Sequence, residues 1–242
     1  MSDNLFAFKQ FTMNQNHCAI KIGTDGVLLG AISEVPETAK NILDIGSGTG
    51  LLALMLAQKS EAQIDAIEID EPAYKQSAEN FEQSKWTQKL SAIHCSLQNF
   101  KPNQQALYDL IISNPPFFRF KKNIAITVEQ RSSARHDKDL PFEELAYHAR
   151  RLLKPNGKFW LILPIQEGTE FIQIAQRENL FVSQQILVQP KPNKAPNRMI
   201  VCFTKTDTPV LVRTFCIYDK DGNATREYIE LTMPYLLWKN NL

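Results

Sequence analysis

Two short stretches carry residue types that could do chemistry: Asn114-Pro115-Pro116-Phe117, and Asp44-Ile45-Gly46-Ser47-Gly48-Thr49-Gly50, with Glu68 downstream of the latter. Proline has a fixed φ and no N–H, so the carbonyls of Pro115 and Pro116 stand rigid and free to accept hydrogen bonds. Asn114 adds a side-chain carbonyl, and Phe117 a flat face on which a ring can stack. Such a set suits a planar NH2 group with two hydrogens, on adenine N6 or a glutamine amide for example. The lone pair of such a nitrogen is delocalised. Two acceptors on its hydrogens return electron density to nitrogen and aim the lone pair at an electrophile. No strong base is needed if the electrophile is a sulfonium methyl, so positioning and preorganised dipoles carry the catalysis.

The glycine stretch implies the second ligand. Asn41-Ile42-Leu43 before it reads as a buried strand, and Leu51 to Ala57 after it as a helix. Strand, glycine turn and helix open a nucleotide-binding βα unit, and Gly46, Gly48 and Gly50 let a ligand lie against backbone without a Cβ in the way. Roughly 20 residues past the glycines, at the carboxyl end of the next strand, such sites place an acid on ribose hydroxyls, and Glu68 fits that spacing. Asp70 with Pro72 reads instead as the cap and first turn of the following helix. A dehydrogenase competes for the glycine stretch taken alone, but the acid-led D-x-G-x-G-x-G form differs from G-x-G-x-x-G. A third strand, Leu90 to Cys95, leads to Ser96 and Gln98, either of which can hydrogen-bond the amino edge of an adenine ring.

These residues require a scaffold of alternating elements. Strands are expected at Ile64–Asp70, Tyr108–Ser113, Lys158–Leu163, Leu180–Val188 and Met199–Thr204. Helices are expected at Pro72–Gln83, Phe142–Leu153 and Ile165–Glu178, with a turn at Lys154-Pro155-Asn156-Gly157. The pattern predicts an α/β fold with a doubly wound, Rossmann-like sheet, mostly parallel. The last two strands have no helix between them and should pair antiparallel. Thr24 or Asp25 is expected to cap a short helix bearing Val27, Leu28 and Ala31, which leads into the glycine strand and covers the pocket. Phe6 to Phe11 reads as a short strand or packing arm, Val210 to Tyr218 as an extra strand, and Arg226 to Leu237 as a terminal helical or extended segment.

The net charge of +1 over 242 residues gives no global sign of a nucleic-acid binder, so any such surface is a local patch. The four cysteines, Cys18, Cys95, Cys202 and Cys216, are scattered and form no CxxC pair. They read as small buried hydrophobes in a reducing compartment, with no metal site. No signal peptide or membrane-spanning run is evident, so a cytoplasmic protein is expected.

Asp44 to Gly50, Glu68 and Asn114 to Phe117, in this order and spacing, resemble class I S-adenosylmethionine-dependent methyltransferases of the amino-methylating kind. Phe8-Lys9-Gln10-Phe11, His17-Cys18-Ala19 and Gly23 to Ala31 are similar to the opening of the bacterial tRNA(Val) adenine-N6 methyltransferases, the YfiC-like family. The similarity runs through Arg226-Glu227-Tyr228 and Leu231 to Leu236. Phe117 stands where many relatives have Tyr, and Ser96 where an Asp often holds the cofactor's adenine, with Gln98 as its substitute. The resemblance implies S-adenosyl-L-methionine as cofactor, with Asp44 near its ammonium, and adenine 37 of tRNA(Val) as substrate. It implies Asn114, Pro115, Pro116 and Phe117 as catalytic, and Thr24 and Asp25 as closing the cofactor pocket. A tRNA would need phosphate-binding cations at the pocket mouth. Arg119, Lys121 and Lys122, then Arg131 and Arg135, then Lys191, Lys194 and Arg198 are the candidates. The chain is expected to be one methyltransferase domain over 1–242, with a cap segment at 1–33, a core at 34–206 and a packed C-terminal extension at 207–242. No obligate protein partner is called for. The competing readings are a methyltransferase acting on protein glutamine or ribosomal guanine N2, which the N-terminal block disfavours, and a non-catalytic RNA-binding module, which the intact Asn-Pro-Pro-Phe disfavours.

Overall fold

A computed structural model describes residues 5–16, 22–102, 107–116 and 140–238. A small hairpin comes first, β1 (Leu5–Ala7) and β2 (Thr12–Asn14), paired antiparallel. Phe8 and Phe11 at its turn are buried and stacked with ring centroids 4.4 Å apart. Then follow α1 (Thr24–Ile32), β3 (Asn41–Ile45), α2 (Leu51–Lys59), β4 (Gln63–Glu68), α3 (Glu71–Glu82), β5 (Leu90–His94) and β6 (Tyr108–Ser113). After 140 come α4 (Phe142–Leu152), β7 (Leu153–Pro164), α5 (Ile165–Arg177), β8 (Phe181–Gln189), β9 (Arg198–Thr204), β10 (Leu211–Cys216) and α6 (Arg226–Thr232).

The main sheet has the order β10-β8-β9-β7-β6-β3-β4-β5. β3 to β7 run parallel, as expected for strands joined by helical crossovers. β9 lies antiparallel between β7 and β8, so the expected antiparallel pair is present. The extra strand, β10, lies parallel to β8 at the sheet edge. The expected turn at Lys154–Gly157 lies inside β7 as an irregularity: the register passes from Tyr108↔Leu153 to Leu110↔Lys158.

Alternate strand residues feed two cores, because side chains on a strand point to opposite faces. Ile42, Leu110, Ile112 and Trp160 pack with α1 and α2, while Leu43, Ile111, Phe159 and Leu161 pack with α4 and α5. Both faces being covered explains the near-continuous apolar reading of β3 and β6. The chain order reverses between β3 and β6. Their last residues, Ile45 and Ser113, stand opposite each other in register, so the loops leaving them open onto one crevice, where ligands bind in such sheets.

Two helices end on distant lysines instead of C-terminal glycines. Lys59 Nζ donates to the carbonyls of Gly30 (2.7 Å) and Ser33 at the end of α1. Lys89 Nζ donates to Ala57 (3.1 Å) and Ser60 (2.6 Å) at the end of α2. A cation satisfies the last carbonyls and complements the negative end of the helix dipole.

One expectation about α1 is corrected. Neither Thr24 nor Asp25 caps it: the N-cap is Gly23, and no side chain bonds the first turn. The helix is buried on most sides, including Val27, Leu28, Leu29 and Ile32, because it lies against α2, β7 and α6. Packing, in place of a cap, fixes its start. For α3 the expectation holds, since Asp70 accepts from the Ala73 N–H (3.3 Å) and Pro72 sits in the first turn.

Candidate active site

The crevice at the carboxyl ends of β3, β4, β5 and β6 holds a cavity of about 360 Å³. One wall is the glycine loop. The N–H groups of Gly46 and Ser47 donate to the Ile67 carbonyl (2.9 and 3.1 Å), and Gly50 N–H donates to Ser47 (2.8 Å), which folds the loop tightly onto the end of β4. Gly46 and Gly48 have φ of 70° and 55°, and a Cβ on either would meet nothing within 4 Å. The loop therefore presents bare, left-handed backbone to open space, a cradle that side chains would fill.

Glu68, at the end of β4, is both wall and brace. Its carboxylate accepts from Gly48 N–H (2.8 Å) and from Asp70 N–H (2.9 Å). One side chain thus sets the shape of the glycine loop and of the turn into α3, and each oxygen keeps a lone pair for a ligand hydroxyl. Asn80 on α3 supplies a second brace that nothing in the sequence announces. Its amide bonds the Thr49 carbonyl (2.9 Å) and both backbone groups of Asn14 (2.9 and 3.0 Å), tying the loop to the N-terminal hairpin.

Asp44 lies behind the loop, off the cavity wall and fully buried. One oxygen accepts from Ala53 N–H (3.2 Å) and the other has no partner. Burial pushes its carboxyl up to about 8, the charge of Glu68 adds to the rise, and the Ala53 N–H opposes it. An unused buried acceptor is costly and suits a ligand that brings an ammonium. The bare cradle, the unused Asp44 oxygen and the Glu68 carboxylate together fit an aminoacyl nucleoside such as S-adenosylmethionine.

On the other wall, Ser96 and Gln98 both line the cavity after β5. Ser96 Oγ accepts from Asn99 N–H (3.3 Å) and is half-buried, whereas Gln98 is exposed. Cys95 also lines the cavity, and burial pushes its thiol up, so it remains a protonated wall residue. His94 is taken up by the Ile69 carbonyl (3.1 Å) and by stacking on Tyr74.

Asn114, Pro115 and Pro116 line the same cavity from the end of β6. Pro115 is buried and Asn114 half-buried. Among the described residues no hydrogen-bond partner reaches the Asn114 side chain. Ser113 below it is buried and donates to the Ile45 carbonyl (2.8 Å), locking the ends of β6 and β3 together. Ile22, Gly23 and Gly26, at the start of α1, close the cavity. A Cβ on Gly26 would stand 2.9 Å from Leu51 Cδ2 and 3.9 Å from Asn114 Nδ2, so the helix packs closely on α2 with the acceptor loop beside it. Thr24 and Asp25, expected at the pocket, are not on its wall. Thr24 is exposed, and Asp25 Oδ2 accepts from Arg198 Nε at 2.8 Å.

Arg198 begins β9, and Lys191 and Lys194 lie in the loop before it. β8 is parallel to β7 and hence to β6, so this loop stands at the same end of the sheet as Asn114. Phe117, Arg119, Lys121, Lys122, Arg131 and Arg135 lie outside the described residues. Sequence reasoning missed Ser47, Thr49, Ser113 and Leu140 on the wall. The first two could have been found within the glycine motif, but no signal marks the others.

Sheet order, switch-point crevice and acid-backed glycine cradle define a class I S-adenosylmethionine-dependent methyltransferase. Residues 17–187 match the methyltransferase small domain family. A Christiangramia forsetii protein named tRNA1(Val) (adenine(37)-N6)-methyltransferase is 41% identical over 240 residues, covering 98% of this chain and 99% of its own. A protein of the same name from Haemophilus influenzae (strain PittEE) is 42% identical over 234 residues, covering 96% and 98%. The chain belongs to the family of tRNA1(Val) (adenine(37)-N6)-methyltransferases. Solved structures share its fold. An Agrobacterium tumefaciens protein described as a predicted O-methyltransferase superposes with a TM-score of 0.68 at 15% identity, over 90% of this chain and 100% of that one. Pyrococcus horikoshii TYW2, solved with MeSAdo, gives 0.55 at 17% identity, over 85% and 73%.

Proposed function

We propose that this protein transfers the methyl group of S-adenosylmethionine to N6 of adenine 37 in tRNA1(Val). One juxtaposition carries the reading: the Asn114–Pro115 acceptors and the glycine cradle open onto one cavity at the switch point between β3 and β6. The names of the relatives favour an RNA adenine over protein glutamine or ribosomal guanine. Bound S-adenosylmethionine supplies an electrophilic methyl on a sulfonium. The chain holds it with Gly46 and Gly48 against its amino-acid part, Asp44 behind its ammonium, Glu68 on its ribose, and Ser96 or Gln98 at its adenine. Asn114 Oδ1 and the Pro115 carbonyl accept the two N6 hydrogens of the substrate, returning density to nitrogen, and Phe117 stacks on the base. An adenine in a loop is splayed into such a pocket at small cost, because no duplex pairing is broken. The flanking cations take the backbone phosphates. The domain acts as one unit in the cytoplasm, where its substrate is found. Among the described residues no helix is long and apolar enough to cross a membrane.

The test is methyl transfer to unmodified tRNA1(Val), followed by nucleoside analysis. N6-methyladenosine at position 37 is expected, and its absence at saturating cofactor overturns the reading. Asn114→Ala is expected to lose at least a hundredfold in kcat while calorimetry shows unchanged cofactor affinity.

A further inference from the structure

We infer that Arg198 acts through Asp25 as a positioning residue for Asn114: the ion pair latches the helix that closes the cofactor cavity onto the sheet end where RNA would dock. The inference rests on the assignment of Asn114 as the amine holder.

The ion pair spans elements far apart in sequence. Asp25 is in the first turn of α1 and Arg198 is the first residue of β9, with Nε 2.8 Å from Oδ2. Both side chains are about a quarter exposed, 28% for Arg198 and 27% for Asp25, so the pair is shielded more than a surface contact is. The first turn of α1 has no side-chain cap, and its Val27 N–H reaches the Gly23 carbonyl only at 3.4 Å. The end of the helix is held by Lys59. The beginning, which carries Gly23 and Gly26 on the cavity wall, is tied across the sheet by Asp25.

The geometry gives that tie a consequence at the acceptor loop. Gly26 follows Asp25 directly, and a Cβ there would meet Leu51 Cδ2 at 2.9 Å, with Asn114 Nδ2 beyond it at 3.9 Å. Asn114 meets no hydrogen-bonding constraint among the described residues, and the first turn of α1 lines the same cavity beside its amide. A shift of α1 away from β9 moves the part of the cavity wall that lies beside the amide. Misplacement of a reacting group by about 1 Å can cost roughly a hundredfold. At its other end the pair belongs to the loop of Lys191 and Lys194. Arg198 Nη1 donates to Asn197 (3.0 Å), and Gln189 Nε2 holds the Pro192 and Lys194 carbonyls (3.0 and 2.6 Å). The loop is therefore shaped by its own hydrogen bonds, and Arg198 is its link to the cavity.

The competing role for Arg198 is direct phosphate binding, and the two separate cleanly. Asp25→Asn, Arg198→Gln, Arg198→Lys and the Asp25→Asn/Arg198→Gln double variant are assayed for kcat, tRNA KM and its salt dependence, alongside wild type. On the positioning role, each single variant lowers kcat by about tenfold with KM within twofold. The salt slope stays as in wild type, and the double variant is no worse than either single. Arg198→Lys, which keeps the charge but lacks the Nε donor, falls with them and serves if Arg198→Gln folds poorly. On the phosphate role, Arg198→Gln raises KM and reduces the salt slope by about one, while Arg198→Lys and Asp25→Asn keep wild-type kcat. That pattern overturns the inference. Wild-type protein inactive on the tRNA would instead remove the reading of Asn114 itself.

Discussion

Asp44 has a pH signature. Its folded carboxyl keeps its proton up to about pH 8, whereas an unfolded chain releases it near the ordinary value of 3.8. Between those values the unfolded chain binds fewer protons, so raising the pH through the window lowers stability. Asp44→Asn removes that dependence. Without cofactor, the variant is expected to match wild type near pH 4 and to melt several degrees higher at pH 8. Its added stabilisation by S-adenosylmethionine is expected to shrink. Thermal melts across that range, with and without cofactor, check both, and parallel wild-type and variant curves would show that Asp44 does not take up the proton. At this scale the sequence was partly legible. The position of Glu68 at the end of β4, on the cavity wall, was legible in its spacing from the glycines, because the motif fixes where the second strand ends. Its grip on the Gly48 and Asp70 N–H groups was not legible, nor was the role of Asn80, because both depend on which backbone groups the fold leaves unpaired beside a side chain. Asp25 was expected at the pocket from the resemblance and from its place before the glycine strand, but its side chain is paired with Arg198 off the cavity wall.

The glycine loop and α2 illustrate how one motif uses the same residue for two purposes. Gly50 is the N-cap of α2 with φ of 85°, and a Cβ there would stand 2.4 Å from the buried Phe81 ring. Gly50→Ala is expected to cost about 3 kcal/mol, from left-handed strain plus the clash. Gly48→Ala carries only the strain, about 1 kcal/mol, because nothing lies within 4 Å of its Cβ. It is nevertheless expected to weaken cofactor binding at least tenfold, by filling the cradle. Denaturant melts and calorimetry separate the two, and a stable, binding-competent Gly50→Ala protein would contradict the packing. Elements of the core were legible because their patterns are strong: β3 and β6 lie where unbroken apolar runs put them, β4 where alternation does, and α3 where the Asp70 cap and Pro72 do. The start of α1 was not, since burial by α2, β7 and α6 substitutes for a cap. The parallel placement of β10 was not legible either, as strand direction at an edge follows from the path of the preceding loop and leaves no mark in composition.

At the scale of the whole molecule, the segment from Phe215 to Tyr235 is bound into the fold. Phe215, Tyr228 and Tyr235 are buried, Lys9 N–H donates to the Tyr235 carbonyl (2.7 Å) and Gln58 Nε2 to that of Pro234 (2.9 Å). Each buried aromatic contributes about 2 kcal/mol, a large part of the stability of a domain this size. A chain ending at residue 206 is expected to lose its cooperative melt, as followed by circular dichroism, and an unchanged transition would show the extension to be separable. The place of β9 has a consequence for biosynthesis. It lies between β7 and β8 but is made after both. A ribosome that has released residues up to Pro164 has delivered β7, from Phe159 to Leu163, with one hydrogen-bonding edge bare and its partner still untranslated. Pauses in translation between β7 and β9 leave the nascent chain with an open apolar strand at the edge of its partial sheet, where capture by a chaperone or by another chain is most favoured.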